Sequence, residues 1–174
     1  MTMLTFYVDG KVSDSCVAGF LVKAFQLDAK AISQLQDCSD AEVTFEINKI
    51  GRDGFSSEIN VFLDAALARK SGMYNNLLLG IAISRMAKCG ILINDESDDP
   101  YQWILIEGDV VFLAESGCDE SEDINMRINS RRVLDINFAL GVFPGENDFD
   151  SERVKGSAYL VTPSSKWESG VIKC

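Results

Sequence analysis

The stretch that most constrains the fold is Tyr101–Glu115. Tyr101-Gln-Trp-Ile-Leu-Ile-Glu107 is rich in β-branched and aromatic residues, Gly108-Asp109 follows, and Val110-Val-Phe-Leu-Ala-Glu115 is a second such run. A two-residue break with glycine first is a hairpin signature, because glycine enters positive φ without steric cost at that turn position. The turn also sets the register: Glu107 faces Val110, Leu105 faces Phe112 and Trp103 faces Ala114. An isolated hairpin is at best marginally stable, so this one belongs to a larger sheet.

The rest of the chain supplies that sheet. Leu4–Val8 reads as an opening strand. In Glu42–Asn48, Val43, Phe45 and Ile47 alternate with polar residues, the period of a half-buried strand. Ile124, Met126 and Ile128 alternate, as do Leu134, Ile136, Phe138, Leu140 and Val142, and Ser157–Thr162 makes one more strand. Ser13 and Asp14 precede Val17, Phe20, Leu21, Ala24 and Phe25, which recur at helical spacing. A second short helix is expected over Ala29–Gln36. The strongest helical pattern runs from Tyr74 to Lys88, through Leu77, Leu78, Ile81 and Arg85, with Gly90 as its stop and Arg85 and Lys88 near its negative end. It is apolar on most faces, as a central buried helix is. Around Glu58–Asp64 both periods fit, and a strand running into a helix is the expectation. Together these give one α+β domain over residues 1–174. Its mainly antiparallel sheet has a β-rich C-terminal half and is covered on one face by helices from the N-terminal half.

Among 174 residues there is no histidine. Histidine is the side chain that titrates nearest neutrality, so its absence removes Ser-His-Asp and Cys-His catalysis and His-ligated zinc and haem. Neither a P-loop, nor a G-x-G-x-x-G fingerprint, nor a G-x-S-x-G elbow occurs. An EF-hand needs glycine at its sixth position, where counting from Asp148 gives Arg153 and counting from Asp95 gives Pro100. The five cysteines, Cys16, Cys38, Cys89, Cys118 and Cys174, form no C-x-x-C pair and suit reduced thiols. Acidic neighbours disfavour the thiolate of Cys118. The N-terminus has no basic segment followed by an apolar one, and Leu77–Ile83, the longest apolar run, cannot span a bilayer, so a cytoplasmic protein is expected.

The net charge is −11, unevenly spread. Residues 1–93 hold 10 acidic and 9 basic side chains, whereas residues 94–174 hold 17 and 7. Three runs without Lys or Arg account for twelve of those acids: Asp95, Glu96, Asp98 and Asp99; Asp119, Glu120, Glu122 and Asp123; and Glu146, Asp148, Asp150 and Glu152. The first two flank the hairpin and emerge at its open end. This balance opposes binding to nucleic acid or to an anionic membrane, both of which need clustered Lys and Arg. Arg131-Arg132 is expected to pair with neighbouring acids. Tyr101 and Trp103 share one strand face and are expected to pack in the core, or to anchor an interface if that face is open.

The expected function is that of an acidic protein-binding inhibitor of the immunity type. It would neutralise a basic partner, such as a nuclease toxin, by steering from the acidic runs and then occluding it. The parallel with small acidic immunity proteins is one of charge and size alone. No cofactor or metal is expected. The alternatives are a non-catalytic adaptor or structural module and a small enzyme using carboxylates or a divalent ion.

Overall fold

A computed structural model of the chain describes residues 1–37, 40–50, 54–73, 75–94, 101–116 and 128–135, without the side chains of Ile128 and Asn129. The strands are β1 (Thr2–Asp9), β2 (Ile32–Gln34), β3 (Val43–Lys49), β4 (Phe55–Leu63), β5 (Gly90–Asn94), β6 (Gln102–Glu107), β7 (Val110–Ser116) and β8 (Ile128–Leu134). The α-helices are α1 (Asp14–Phe25), α2 (Ala65–Ser71) and α3 (Asn76–Ala87).

The eight strands form one sheet in the order β2-β3-β4-β1-β5-β6-β7-β8. Every pairing is antiparallel except β2 with β3. The fold is therefore α+β with a mixed, mostly antiparallel sheet. The described strands divide evenly: β1–β4 precede residue 64 and β5–β8 follow residue 89.

The hairpin register is the one the turn dictates, with Glu107 opposite Val110, Leu105 opposite Phe112 and Trp103 opposite Ala114. Gly108 takes φ +61. At Glu58–Asp64 the strand continues to Leu63, and the Asp64 carboxylate then caps α2 by accepting from the Ala66 N–H at 2.7 Å. The two periods overlapped in sequence because Ile59, Val61 and Leu63 belong to the strand and Ala66 to the next helix.

Three expectations are corrected. Ala29–Gln36 is not a helix: two one-turn 3₁₀ segments, Ala29–Ala31 and Leu35–Asp37, flank β2, which pairs in parallel with β3. Only Ile32 is buried there, so the segment lacks a helical apolar face and its register is set by β3. The stop of α3 is Lys88, which takes φ +54 and donates its N–H to the Ser84 carbonyl, while Gly90 already begins β5. Finally, one strand spans Ile128–Leu134, with Arg131 and Arg132 in its middle, where two strands with the arginines between them were expected. The expected strand positions at 124–127, 136–142 and 157–162 lie outside the described residues, as does Tyr74.

Two apolar clusters hold the sheet. The larger joins Leu4, Phe6 and Val8 of β1, Val61 and Leu63 of β4 and Ile91 and Ile93 of β5 to buried residues of all three helices, among them Val17, Leu21, Ala68, Leu77, Leu79 and Ile83. These strand residues share one face by the period-two rule. Gly80 permits close approach there: a Cβ at that position would lie 2.7 Å from Ile106 Cδ1. At the other end of α3, the fully buried Ser84 hydroxyl donates to the Cys89 carbonyl at 2.8 Å and accepts from the Gly108 N–H at 2.8 Å. It thus ties the helix to β5 and to the hairpin turn.

The second cluster contains Phe55, Leu92, Leu105 and Ala114, with Tyr7, Ile50, Trp103 and Phe112 packed against them. Tyr7, Leu92, Leu105, Phe112 and Val133 are direct neighbours along one cross-strand row, on the opposite face from Phe6 and Ile91.

Candidate functional site

All the acidic residues expected to meet a partner lie outside the described residues: Asp95, Glu96, Asp98, Asp99, Asp119, Glu120, Glu122, Asp123, Glu146, Asp148 and Asp150. What is described is where the chain enters and leaves the first two runs. Asn94, at the end of β5, stands opposite Trp103; Gln102 stands opposite Glu115; and Ser116 stands opposite Ile128. The Ser116 N–H donates to the Tyr101 carbonyl at 2.8 Å. All four strand ends therefore lie side by side, at the end of the sheet away from Gly108-Asp109. Segments 95–100 and 117–127 are both attached there.

The face carrying the second cluster has a defined chemistry. No helical residue among the described ones joins that cluster. Tyr7 and Trp103 meet edge to face with ring centroids 5.6 Å apart. Their strands flank β5, and strands two apart are separated by roughly 9.5 Å, so the rings lean together across β5. Leu92, between them, is fully buried. Trp103 Nε1 donates to Ser116 Oγ at 3.2 Å. Trp103 thus packs as expected, whereas Tyr101 is 47% exposed.

On one side of the aromatic pair lies a polar row. Glu58 stands directly opposite both Tyr7 and Asn48, and Asn48 Nδ2 donates to Glu58 Oε2 at 3.2 Å. Burial first, and then the Glu58 carboxylate opposite, push the Tyr7 hydroxyl above its usual pKa of 10.0. In the neighbouring row Thr5 Oγ1 donates to Asn60 Oδ1 at 2.7 Å, and Asn60 Nδ2 donates to Glu46 Oε1 at 3.0 Å. Asp9 stands opposite Phe55, and burial raises its carboxyl above the usual 3.8.

On the other side of the pair, Arg131 crosses from β8. Its guanidinium lies 4.9 Å from the Phe112 ring centroid, and Nη1 bonds Glu107 Oε1 at 2.7 Å. Arg132 Nη2 lies 3.8 Å from Glu115 Oε1. Both arginines thus pair with acids, as expected; the second pair is exposed and contributes little.

Charge differs between the two sides. Among the described residues, the face of the second cluster carries Asp9, Glu46, Glu58 and Glu107 against Arg131 alone. The helices, their caps and the 3₁₀ turns carry exposed Lys23, Lys30, Arg69, Lys70, Arg85 and Lys88 against exposed Asp14, Asp28, Asp37 and Asp64.

Among the described residues, no His, Cys, Asp or Glu group is arranged to hold a metal ion, and no helix is long and apolar enough to cross a membrane. An apolar crevice near Phe6, Val17, Phe20 and Cys89 has room for about one water. Cys16 is exposed and Cys89 buried. Cys38, Cys118 and Cys174 lie outside the described residues.

Sequence reasoning missed Tyr7, Glu46 and Glu58. The alternation of β3 placed Glu46 on a polar face, but the pairing of Tyr7 with Glu58 spans 51 positions and needs the β1–β4 register. The chain matches no protein-family profile, no curated protein and no solved structure.

Proposed function

We propose that this chain is a non-catalytic, cytoplasmic protein-binding inhibitor of the immunity type, acting on a basic protein such as a nuclease toxin. The observation that carries the reading is the separation of charge: residues 94–174 hold 17 acids against 7 bases, while residues 1–93 are almost balanced. The topology supports it, because the segments bearing eight of those acids are attached at one end of the sheet. In this reading the helices cover one face of the sheet and the acidic end meets the partner. Carboxylates concentrated in this way raise the encounter rate with a cationic protein and disfavour nucleic acid and anionic membranes.

The experiment has two stages. The full chain is used to capture its partner from an extract of its native cell, and association with the purified partner is then followed by stopped flow against salt. The rate should fall steeply between 0.05 and 0.5 M salt, over which the Debye length shrinks to less than half. Reversing Asp95, Asp98, Asp119 and Glu122 to Lys should slow association roughly tenfold or more while leaving unfolding unchanged. A partner whose binding is indifferent to salt and to all four reversals would refute the acidic-surface mechanism.

A further inference from the structure

The sheet face bearing the second cluster already shows how it holds an arginine. Arg131 lies over the Phe112 ring and pairs with Glu107. An aromatic face beside a carboxylate suits guanidinium better than ammonium, because the planar group stacks and bonds at once. The same combination recurs at Tyr7 and Glu58: an aromatic ring and a carboxylate directly opposite each other on neighbouring strands, both half-buried. Among the described residues, no salt bridge supplies Glu58 with a cation. Trp103 meets the Tyr7 ring edge to face and Asn48 holds Glu58, so both members are fixed in place. Glu46, with its own clamp from Asn60, adds negative charge in the adjoining row.

We propose that Tyr7 and Glu58 form a receiving site for an arginine side chain of a protein partner, in the manner in which Phe112 and Glu107 hold Arg131. The site extends the acidic surface proposed above onto the sheet face, and it rests on that reading for the partner being basic. Arginine is the commoner cation at protein interfaces, where lysine is depleted.

The test uses the full chain and two synthetic 12-residue probes, one alternating arginine with serine and one alternating lysine with serine. Binding is measured by calorimetry and mapped by amide chemical shifts. The arginine peptide should bind about threefold more tightly than the lysine peptide, and should shift the Tyr7 and Glu58 amides. Glu58→Gln and Tyr7→Leu should each bring the two affinities within a factor of about 1.5. Should Tyr7→Leu fail to fold, Glu58→Gln decides, since it keeps size and shape. An arginine preference that survives Glu58→Gln, or binding that leaves the Tyr7 and Glu58 amides unmoved, overturns the site. The fourfold reversal at Asp95, Asp98, Asp119 and Glu122 should weaken both peptides alike and keep the preference. Failure of the acidic-run mechanism is thereby distinguishable from failure of this site.

Discussion

Replacing Ser84 with alanine tests whether one hydroxyl fastens helix α3 to the sheet. Ser84 is fully buried, and its Oγ lies 2.8 Å from the Cys89 carbonyl, 3.2 Å from the Ile106 carbonyl and 2.8 Å from the Gly108 nitrogen. The hydroxyl has one proton, directed at Cys89, and its lone pairs receive the Gly108 N–H. Alanine removes both bonds. Each neutral bond contributes about 0.5–1.5 kcal/mol, and a buried group left unsatisfied costs about 1–3 kcal/mol. Gly108 is only half-buried, so its N–H regains some solvation; the Cys89 carbonyl is the larger loss. Alanine is the better helix former by about 0.5 kcal/mol. The net expectation is a loss of about 2–3 kcal/mol, equivalent to roughly 5–10 °C in Tm for a chain of this length. Urea unfolding should show a lower midpoint with an unchanged slope, and hydrogen exchange should show faster exchange at the Gly108 amide. A loss under about 0.5 kcal/mol, or full protection of Gly108 in the variant, would mean that the hydroxyl is not the fastening.

Two further outcomes follow from the packing and the titrating groups. Gly80→Ala places a Cβ 2.7 Å from Ile106 Cδ1 and 3.3 Å from Ile91 Cγ2; overpacking of about 1–3 kcal/mol should outweigh a helix-propensity gain of about 1 kcal/mol. Ile106→Val removes the obstructing methyl, so the double variant should be more stable than the sum of the two single losses by at least about 0.5 kcal/mol, and simple additivity would discard the clash. Burial raises the Asp9 carboxyl above 3.8, so its folded state favours the neutral acid. That contribution is fully present below the unfolded pKa and is lost as pH rises through the folded one. Measured by urea unfolding from pH 3 to 7, the wild type should therefore lose stability relative to Asp9→Asn as pH rises, and a gap moving the other way would contradict the burial.

What was legible in the sequence was local. Gly108-Asp109 specified a turn, and a turn specifies a register, so the β6–β7 pairing could be written residue by residue. Ser13 announced α1, and its hydroxyl does accept from the Cys16 N–H. What could not be read was non-local. β1 lies between β4 and β5, although it comes first in the chain, and β2 pairs in parallel with β3 where a helix was expected. The candidate site divides along the same line. Runs of acids are visible in any sequence, but a carboxylate meeting a ring across two strands exists only once those strands have been brought together.

That division gives Tyr7 a special position. β1 joins the two four-stranded halves of the sheet, and its pairing with β5 is confined to Tyr7 opposite Leu92 and Val8 opposite Ile91. Farther along β1, the Thr5 N–H turns instead to Asn76 Oδ1 at the start of α3, at 2.9 Å. Tyr7 therefore sits on the seam. It stands opposite Glu58 on the side built from the nearly neutral first half, and packs against Trp103 on the side built from the acid-rich second half. A substitution there perturbs cohesion and recognition together, because loss of the ring uncovers Leu92 as well as the proposed arginine site. Glu58 lies one strand away from the seam, and Glu58→Gln keeps its size and shape. Neutralising Glu58 thus isolates the recognition term, and a chain with Glu58→Gln that keeps its unfolding midpoint but loses its arginine preference would separate what Tyr7 combines.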